Sequence, residues 1–171
     1  MKTINIALFF NNIRGLEVLK FLKHKKNINI KIVFLAKKNL NKDIIKKINY
    51  KKNLLKIIQN IDSESIIKYI KQNRIDLNII AGFPYIFKDK LIDAAKYGTI
   101  NLHAGSLPKY RGGSPLNWQI INNEKKIGIS ILKVNKKIDC GEIIDFNNFV
   151  LKKSDSIKEV HNKANKIFPK M

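Results

Sequence analysis

The chain has 171 residues, with 34 Lys and Arg against 13 Asp and Glu, a formal net charge of +21, and 44% apolar residues. That length suits one domain over residues 1–171, and the apolar fraction can bury a core, which excludes wholesale disorder. No apolar run reaches the roughly 18 residues of a membrane span, and the start, Met1-Lys2-Thr3-Ile4-Asn5, lacks a secretory pattern. One cysteine, Cys140, excludes an internal disulfide. The expectation is a soluble cytoplasmic domain without membrane contact.

The charge would suit nucleic acid, because clustered cations gain affinity by releasing counterions from phosphates. The lysines are instead dispersed in pairs such as Lys25-Lys26, Lys46-Lys47, Lys125-Lys126 and Lys152-Lys153, interleaved with Asn and Ile. Composition bias predicts that dispersal, so a generic solvated surface is expected, with a field that favours anionic small substrates.

In chain order, residues 3–10 form an apolar, partly β-branched run that predicts a buried first strand. Ile13, Leu16, Val18, Leu19, Phe21 and Leu22 recur at helical spacing, and the cationic finish His24-Lys25-Lys26 complements a helix C-terminus. Residues 29–36 read as a second strand. Residues 37–60 are rich in Lys and Asn and predict only a short helix and a short strand near 54–58. Asp62-Ser63 offers a cap for a helix ending near Asn73, and residues 76–81 read as a strand stopped by Gly82 and Pro84. A helix over 88–96, a strand over 99–102, an irregular stretch over 106–115 and a helix over 116–122 follow. Strands are expected at 127–132 and 142–150, and Ser156-Ile157-Lys158-Glu159 has capping-box spacing at the head of a final helix. Strands alternating with helices imply an α/β fold with one doubly wound, mostly parallel sheet. In such sheets ligands sit beyond the carboxyl ends of the strands, which points to the loops at 11–15, 82–87 and 101–113.

The last of these loops carries the chemistry. Asn101 and His103 are two apart, so on an extended chain they point the same way. An amide donor beside an imidazole can stabilise a developing oxyanion. In Asp139-Cys140-Gly141, a strand-to-strand turn, a carboxylate could orient that imidazole and keep it protonated. Spacing alone leaves a satisfied structural histidine as the alternative. No Cys, His and carboxylate cluster has metal-ligand spacing.

Asn101-x-His103, Leu107-Pro108-x-Tyr110-Arg111-Gly112, Pro115 with Trp118, and Asp139-x-Gly141 together resemble the folate-dependent formyltransferase family. That family includes methionyl-tRNA formyltransferase, glycinamide ribonucleotide formyltransferase and the nucleotide-sugar N-formyltransferases. The match is dense from Gly82 to Ile144 and looser before it. The resemblance implies a Rossmann-like domain, 10-formyltetrahydrofolate as cosubstrate, no metal, and a primary amine as acceptor. Asn101, His103 and Asp139 fall on the family's catalytic triad. His103 as imidazolium and Asn101 would stabilise the oxyanion formed when the amine attacks the formyl carbon, while Asp139 would help relay the amine proton. Phe83, Tyr85 and Ile86, with Lys137, Ile138 and Gly141, are expected at the folate site, core packing being the alternative for the first three. Asn11, Arg14, Tyr110 and Arg111 are the candidate acceptor contacts, with loop anchoring the alternative for Tyr110 and Arg111.

The departures bear on the acceptor. Many members carry Ser where this chain has Gly105. The loop Asn11-Asn12-Ile13-Arg14-Gly15 lacks the closely spaced glycines that cradle the phosphate of glycinamide ribonucleotide. It looks more like the sugar formyltransferases, where Gly also precedes a Leu-Glu-Val-type helix, and Arg14 could pair there with a phosphate, a solvated Arg at the helix start being the alternative. Methionyl-tRNA formyltransferases usually add a C-terminal β-barrel, whereas this chain stops at Met171, as a minimal protein or a fragment. An amino sugar nucleotide is therefore the favoured acceptor, with methionyl-tRNA the alternative. A formyltetrahydrofolate hydrolase and a non-catalytic RNA-binding module are further alternatives. Cys140 is expected to be a small turn filler and Trp118 to pack in the core. His24 and His161 are expected to be solvated.

Overall fold

The computed structural model describes residues 2–48, 51–61 and 64–171, without the side chain of Lys52. Its strands belong to a seven-stranded sheet, mostly parallel, as the alternation of strand and helix patterns predicts. The chain divides into two compact units, residues 1–100 and 101–171.

The first unit holds β1 (Ile4–Phe9), α1 (Ile13–Leu22), β2 (Ile28–Ala36), α2 (Lys42–Lys47), β3 (Leu55–Ile58), α3 (Glu64–Gln72), β4 (Leu77–Ile80) and α4 (Asp89–Ile92). Its strands run parallel in the order β3-β2-β1-β4, with Leu8 of β1 opposite both Val33 and Ile79. Because β1 is flanked by strands on both edges, its continuous apolar run is buried throughout from Ile6 to Phe9. Phe9 stacks on Phe34 at 4.7 Å between ring centroids and meets Phe87 edge-on at 4.8 Å. α1 turns Leu16, Val18 and Leu19 inward, as its spacing requires. The least legible stretch contains the short helix α2 and, at the expected place, β3. The cap expected at Asp62-Ser63 lies outside the described residues.

The helix expected over residues 88–96 stops after one turn at Ile92. The amides of Lys96 and Tyr97 donate instead to the carbonyls of Ile75 and Asp76 at the head of β4, at 3.1 and 2.7 Å. A tertiary partner for those donors outcompetes another helical turn. Beneath this turn Asn78, fully buried, donates to the Thr99 hydroxyl at 3.2 Å, and that hydroxyl donates to the Ile92 carbonyl at 2.8 Å.

β5 (Thr99–His103) runs across the division at residue 100. Beyond it the second unit holds α5 (Pro115–Ile121), β6 (Lys126–Lys133), β7 (Ile143–Val150) and α6 (Ile157–Ile167). β6 and β7 are antiparallel, with Ile127 opposite Phe149 and Ile129 opposite Asn147. Ile127 and Ile129 are fully buried, whereas β7 is exposed along most of its length. The capping box at α6 forms as its spacing predicts, with Ser156 and Glu159 satisfying each other's backbone donors.

Trp118 corrects the expectation of core packing: it is 54% exposed. The inward face of α5 is set by Leu116 and by Gln119, whose amide donates to the carbonyls of Ala104 and Gly128 and accepts from the Gly128 N–H at 2.7 Å. Three backbone groups outside the helix hold this buried amide, and Trp118 lies about 100° away around the helix. No helix among the described residues is long and apolar enough to cross a membrane.

Candidate active site

β5 carries Asn101 and His103 on one face, and His103 ends the strand, 5% exposed, where the chain enters the loop at 104–114. Asp139 comes from the turn between β6 and β7, at φ 48°, a left-handed conformation that Asp and Asn tolerate better than most residues. Bonds around Asn135 fix the turn: its side-chain oxygen accepts from the Lys137 N–H at 3.0 Å and its amide donates to the Cys140 carbonyl at 3.1 Å. Cys140, as expected, fills the turn, its thiol donating to the Ile138 carbonyl at 3.2 Å.

The three side chains predicted to act together meet within the second unit. His103 Nδ1 lies 3.4 Å from Asp139 Oδ2, with side chains 6% and 12% exposed. Asn101 Nδ2 donates to Asp139 Oδ1 at 3.3 Å. The Gly112 N–H donates to Asp139 Oδ2 at 2.9 Å, and Arg111 Nε donates to the Asp139 carbonyl at 3.2 Å. His103 Nε2 faces the Tyr110 carbonyl at 2.6 Å. A carbonyl only accepts, so Nε2 carries the proton in that bond, and the Nδ1–H of an imidazolium is left as the ring's other donor. Asn101 retains a second amide hydrogen beyond the one aimed at Asp139. The arrangement can present two donors to one oxygen beside a carboxylate sheltered from water.

Other expected contacts have different employment. The Tyr110 side chain, expected at the acceptor, is buried at 6% exposure. Its phenol donates to Glu124 Oε1 at 2.6 Å and accepts from Asn122 Nδ2 at 3.1 Å, so it anchors the loop. Lys109 also reaches Glu124, and this bond, followed by that of Tyr110, holds the Glu124 carboxyl below the usual range. Asn11 is buried: its amide donates to the carbonyls of Ala36 and Lys38, both at 2.8 Å, and its oxygen accepts from the Ala36 N–H at 2.7 Å. That clamp on the end of β2 occupies the amide expected to touch the acceptor. Arg14 is half-buried with Nε out of contact with solvent, and desolvation lowers its guanidinium to about 10, still cationic at neutral pH.

Of the residues expected at the folate, Phe83 is half-buried and meets Phe9, Tyr85 and Phe87 edge-on within the first unit, and Tyr85 donates to the Gln59 carbonyl at 2.8 Å. Ile86 is 66% exposed. In the second unit Lys137, Ile138 and Gly141 flank Asp139 on its turn, Ile138 being 55% exposed. The sequence reading missed the Tyr110 carbonyl, the Gly112 N–H and Glu124. The first two are backbone groups without a residue signature.

The fold is that of known formyltransferases. The chain superposes on phosphoribosylglycinamide formyltransferase from Bacillus halodurans with a TM-score of 0.80 at 17% identity, over 98% of this chain and 90% of that one. It superposes on a sugar N-formyltransferase from a Shewanella species with a TM-score of 0.78 at 21% identity, over 98% of this chain and 65% of that one. Residues 20–170 match the family model described as formyl transferase, and the chain belongs to that family. In sequence it is 35% identical over 129 residues to methionyl-tRNA formyltransferase of Clostridium tetani, which covers 74% of this chain and 41% of the relative. It is 31% identical over 164 residues to that of Mesoplasma florum, covering 92% and 52%. The chain thus spans about half the length of the curated relatives it matches.

Proposed function

We propose that this chain moves the formyl group of 10-formyltetrahydrofolate to a primary amine, and that the amine is the aminoacyl end of methionyl-tRNA. The convergence of Asn101, His103 and Asp139 carries the first part. The second part is supported by the names of the relatives similar in sequence, and it displaces the amino sugar nucleotide that the Gly105 departure and the chain's length favoured. The sugar N-formyltransferase is similar in fold, at 21% identity. A charge of +21 also suits a polyanionic acceptor. An inert RNA-binding surface would need none of the contacts around Asp139.

The donor set suits a formyl oxygen: the second Nδ2 hydrogen of Asn101 and Nδ1 of His103, the latter when protonated. Both donate to the oxygen as the amine nitrogen bonds to the formyl carbon, and they act most where negative charge develops. Asp139 holds the imidazole in register and balances its charge. The His103–Asp139 pair takes the proton that the amine loses and returns one to N10 of the folate as the C–N10 bond breaks. Lys137, Ile138 and Gly141, beside Asp139 on its turn, contact the folate, and Arg111 contributes its outer N–H groups to the acceptor.

The experiment is formyl transfer from 10-formyltetrahydrofolate with methionyl-tRNA, an amino sugar nucleotide, glycinamide ribonucleotide and water offered separately. Transfer to methionyl-tRNA above all others is expected. Transfer to the amino sugar alone would overturn the acceptor, and release of formate without transfer would make the chain a hydrolase.

A further inference from the structure

An imidazole ring can turn over about its bond to Cβ, exchanging each nitrogen with a carbon, and each ring nitrogen can carry the single proton of the neutral form. A site in which His103 works through one nitrogen needs a device that removes both ambiguities. We propose that Tyr110 is that device: its backbone carbonyl holds the Nε2–H of His103, so that Nδ1 is the working nitrogen, and Gly105 supplies the space in which this bond forms.

The Nε2 to carbonyl distance is 2.6 Å in a buried position. A flipped ring would set a carbon against that oxygen, taking Nε2 from its acceptor and Nδ1 from beside Asp139. The other neutral tautomer would place two lone pairs face to face. The carbonyl is itself held firmly. The Tyr110 N–H donates to the Ser106 carbonyl at 3.1 Å, and the phenol is fixed between Glu124 and Asn122. Glu124 also accepts from Lys109 Nζ at 2.5 Å, tying two loop side chains to the turn between α5 and β6. The fixed oxygen is therefore the far end of a relay that begins outside the site, and Tyr110 acts through His103 without touching substrate.

Gly105 fits the same geometry. A Cβ there would lie 2.5 Å from His103 Nε2 and closer still to the Tyr110 carbonyl oxygen, which is backbone and cannot swing aside. Any side chain at 105 in this loop conformation would wedge the two bonded atoms apart. The departure from Ser at this position is thus tied to the bond that orients the ring.

The test reads the ring directly. Long-range 15N–1H spectra of the full chain, labelled at its three histidines, His24, His103 and His161, are recorded across a pH titration, with His103→Asn to assign the signals. The expected result is a neutral His103 ring that carries its proton on Nε2, with Nδ1 bare. Gly105→Ala should bring in the second tautomer and lower kcat about a hundredfold, the scale of a misplaced reacting group, with KM for the folate within about threefold. Tyr110→Phe should lower kcat about fivefold, as loss of one anchoring hydrogen bond implies. Glu124→Gln, which keeps an acceptor for the phenol, should stay within about twofold of the native kcat. A proton on Nδ1 of the neutral native ring would overturn the proposal, as would a Gly105→Ala protein with native ring signals and native kcat. Where Gly105→Ala does not fold, the ring signals of Tyr110→Phe decide: unchanged tautomer purity with unchanged kcat overturns it. The kinetic arm rests on the formyl-transfer reading, but the spectra are taken without substrate. A locked Nε2–H ring in a chain that transfers no formyl group would refute that reading and uphold this one.

Discussion

Asp139→Asn isolates the charge of the carboxylate from its shape. The residue sits at φ 48°, which Asn adopts readily, whereas Ala would add about 1–2 kcal/mol of backbone strain. Asn also keeps one oxygen for the Gly112 N–H. With that oxygen in the place of Oδ2, its amide end faces Asn101 Nδ2, a donor, where the native Oδ1 accepts. The charge lost lies 3.4 Å from the imidazole with both side chains largely sheltered. At an effective dielectric of about 20, that pair is worth roughly 5 kcal/mol to an imidazolium, or about 10³–10⁴ in rate if the charge is needed in the transition state. Folding should lose only about 1 kcal/mol, a shift of about 2–4 °C in Tm for a chain of this size. Single-turnover formyl transfer with both substrates saturating measures the chemical step, and differential scanning fluorimetry measures the fold. A variant turning over within tenfold of the native chain would show that the charge of Asp139 is not used in the reaction. A variant that loses activity in proportion to its loss of folded protein would show the same.

The remaining predictions concern the fold, pH and salt. Phe9→Ala removes a ring that stacks on Phe34 and meets Phe87 edge-on in the buried first strand, and should cost about 3–5 kcal/mol in urea unfolding. Ser156→Ala deletes the cap of α6 and should cost about 1 kcal/mol by the same measurement. Glu124 has a folded value below its unfolded one of about 4.3, because of its bonds from Lys109 and Tyr110. Its contribution is therefore complete above that pH and lost as pH falls through the folded value. The Tm gap between the native chain and Glu124→Leu should be flat above about pH 5 and shrink on further acidification. If the acceptor is tRNA, log(1/KM) for it should fall steeply with log salt, by several phosphate contacts, whereas a small acceptor would show a slope of about one or two.

Much of the fold is legible because local and global preferences agree. β1 is a continuous apolar run that only a strand buried on both faces can hide, and α6 announces its start with Ser156 and Glu159. The disagreements come where a distant partner decides. Nothing in residues 88–96 says that the Lys96 and Tyr97 amides will be taken by carbonyls far upstream, at Ile75 and Asp76. Likewise α5 offers Trp118 as its largest apolar residue, yet it buries Gln119, since that amide answers three backbone groups outside its own helix. Hydrophobicity alone ranks these two residues the wrong way round.

The site divides along a similar line. Asn101, His103 and Asp139 are legible because their roles depend on residue type, and the strand and the turn that carry them are readable from alternation and from the Asp139-Cys140-Gly141 signature. The groups that aim them are the Tyr110 carbonyl, which every residue has, and the Gly112 N–H, which every residue but proline has. A reading by residue type therefore assigns Tyr110 to the acceptor on the strength of its phenol, although the phenol is spent on Glu124 and the useful atom is in the main chain. The same error befalls Asn11, whose amide looks available in sequence and is consumed at the end of β2. With those two spent, half of the side chains assigned to the acceptor hold the fold instead. Which polar atoms the fold leaves unspent therefore narrows the candidates for acceptor contact more than residue type does.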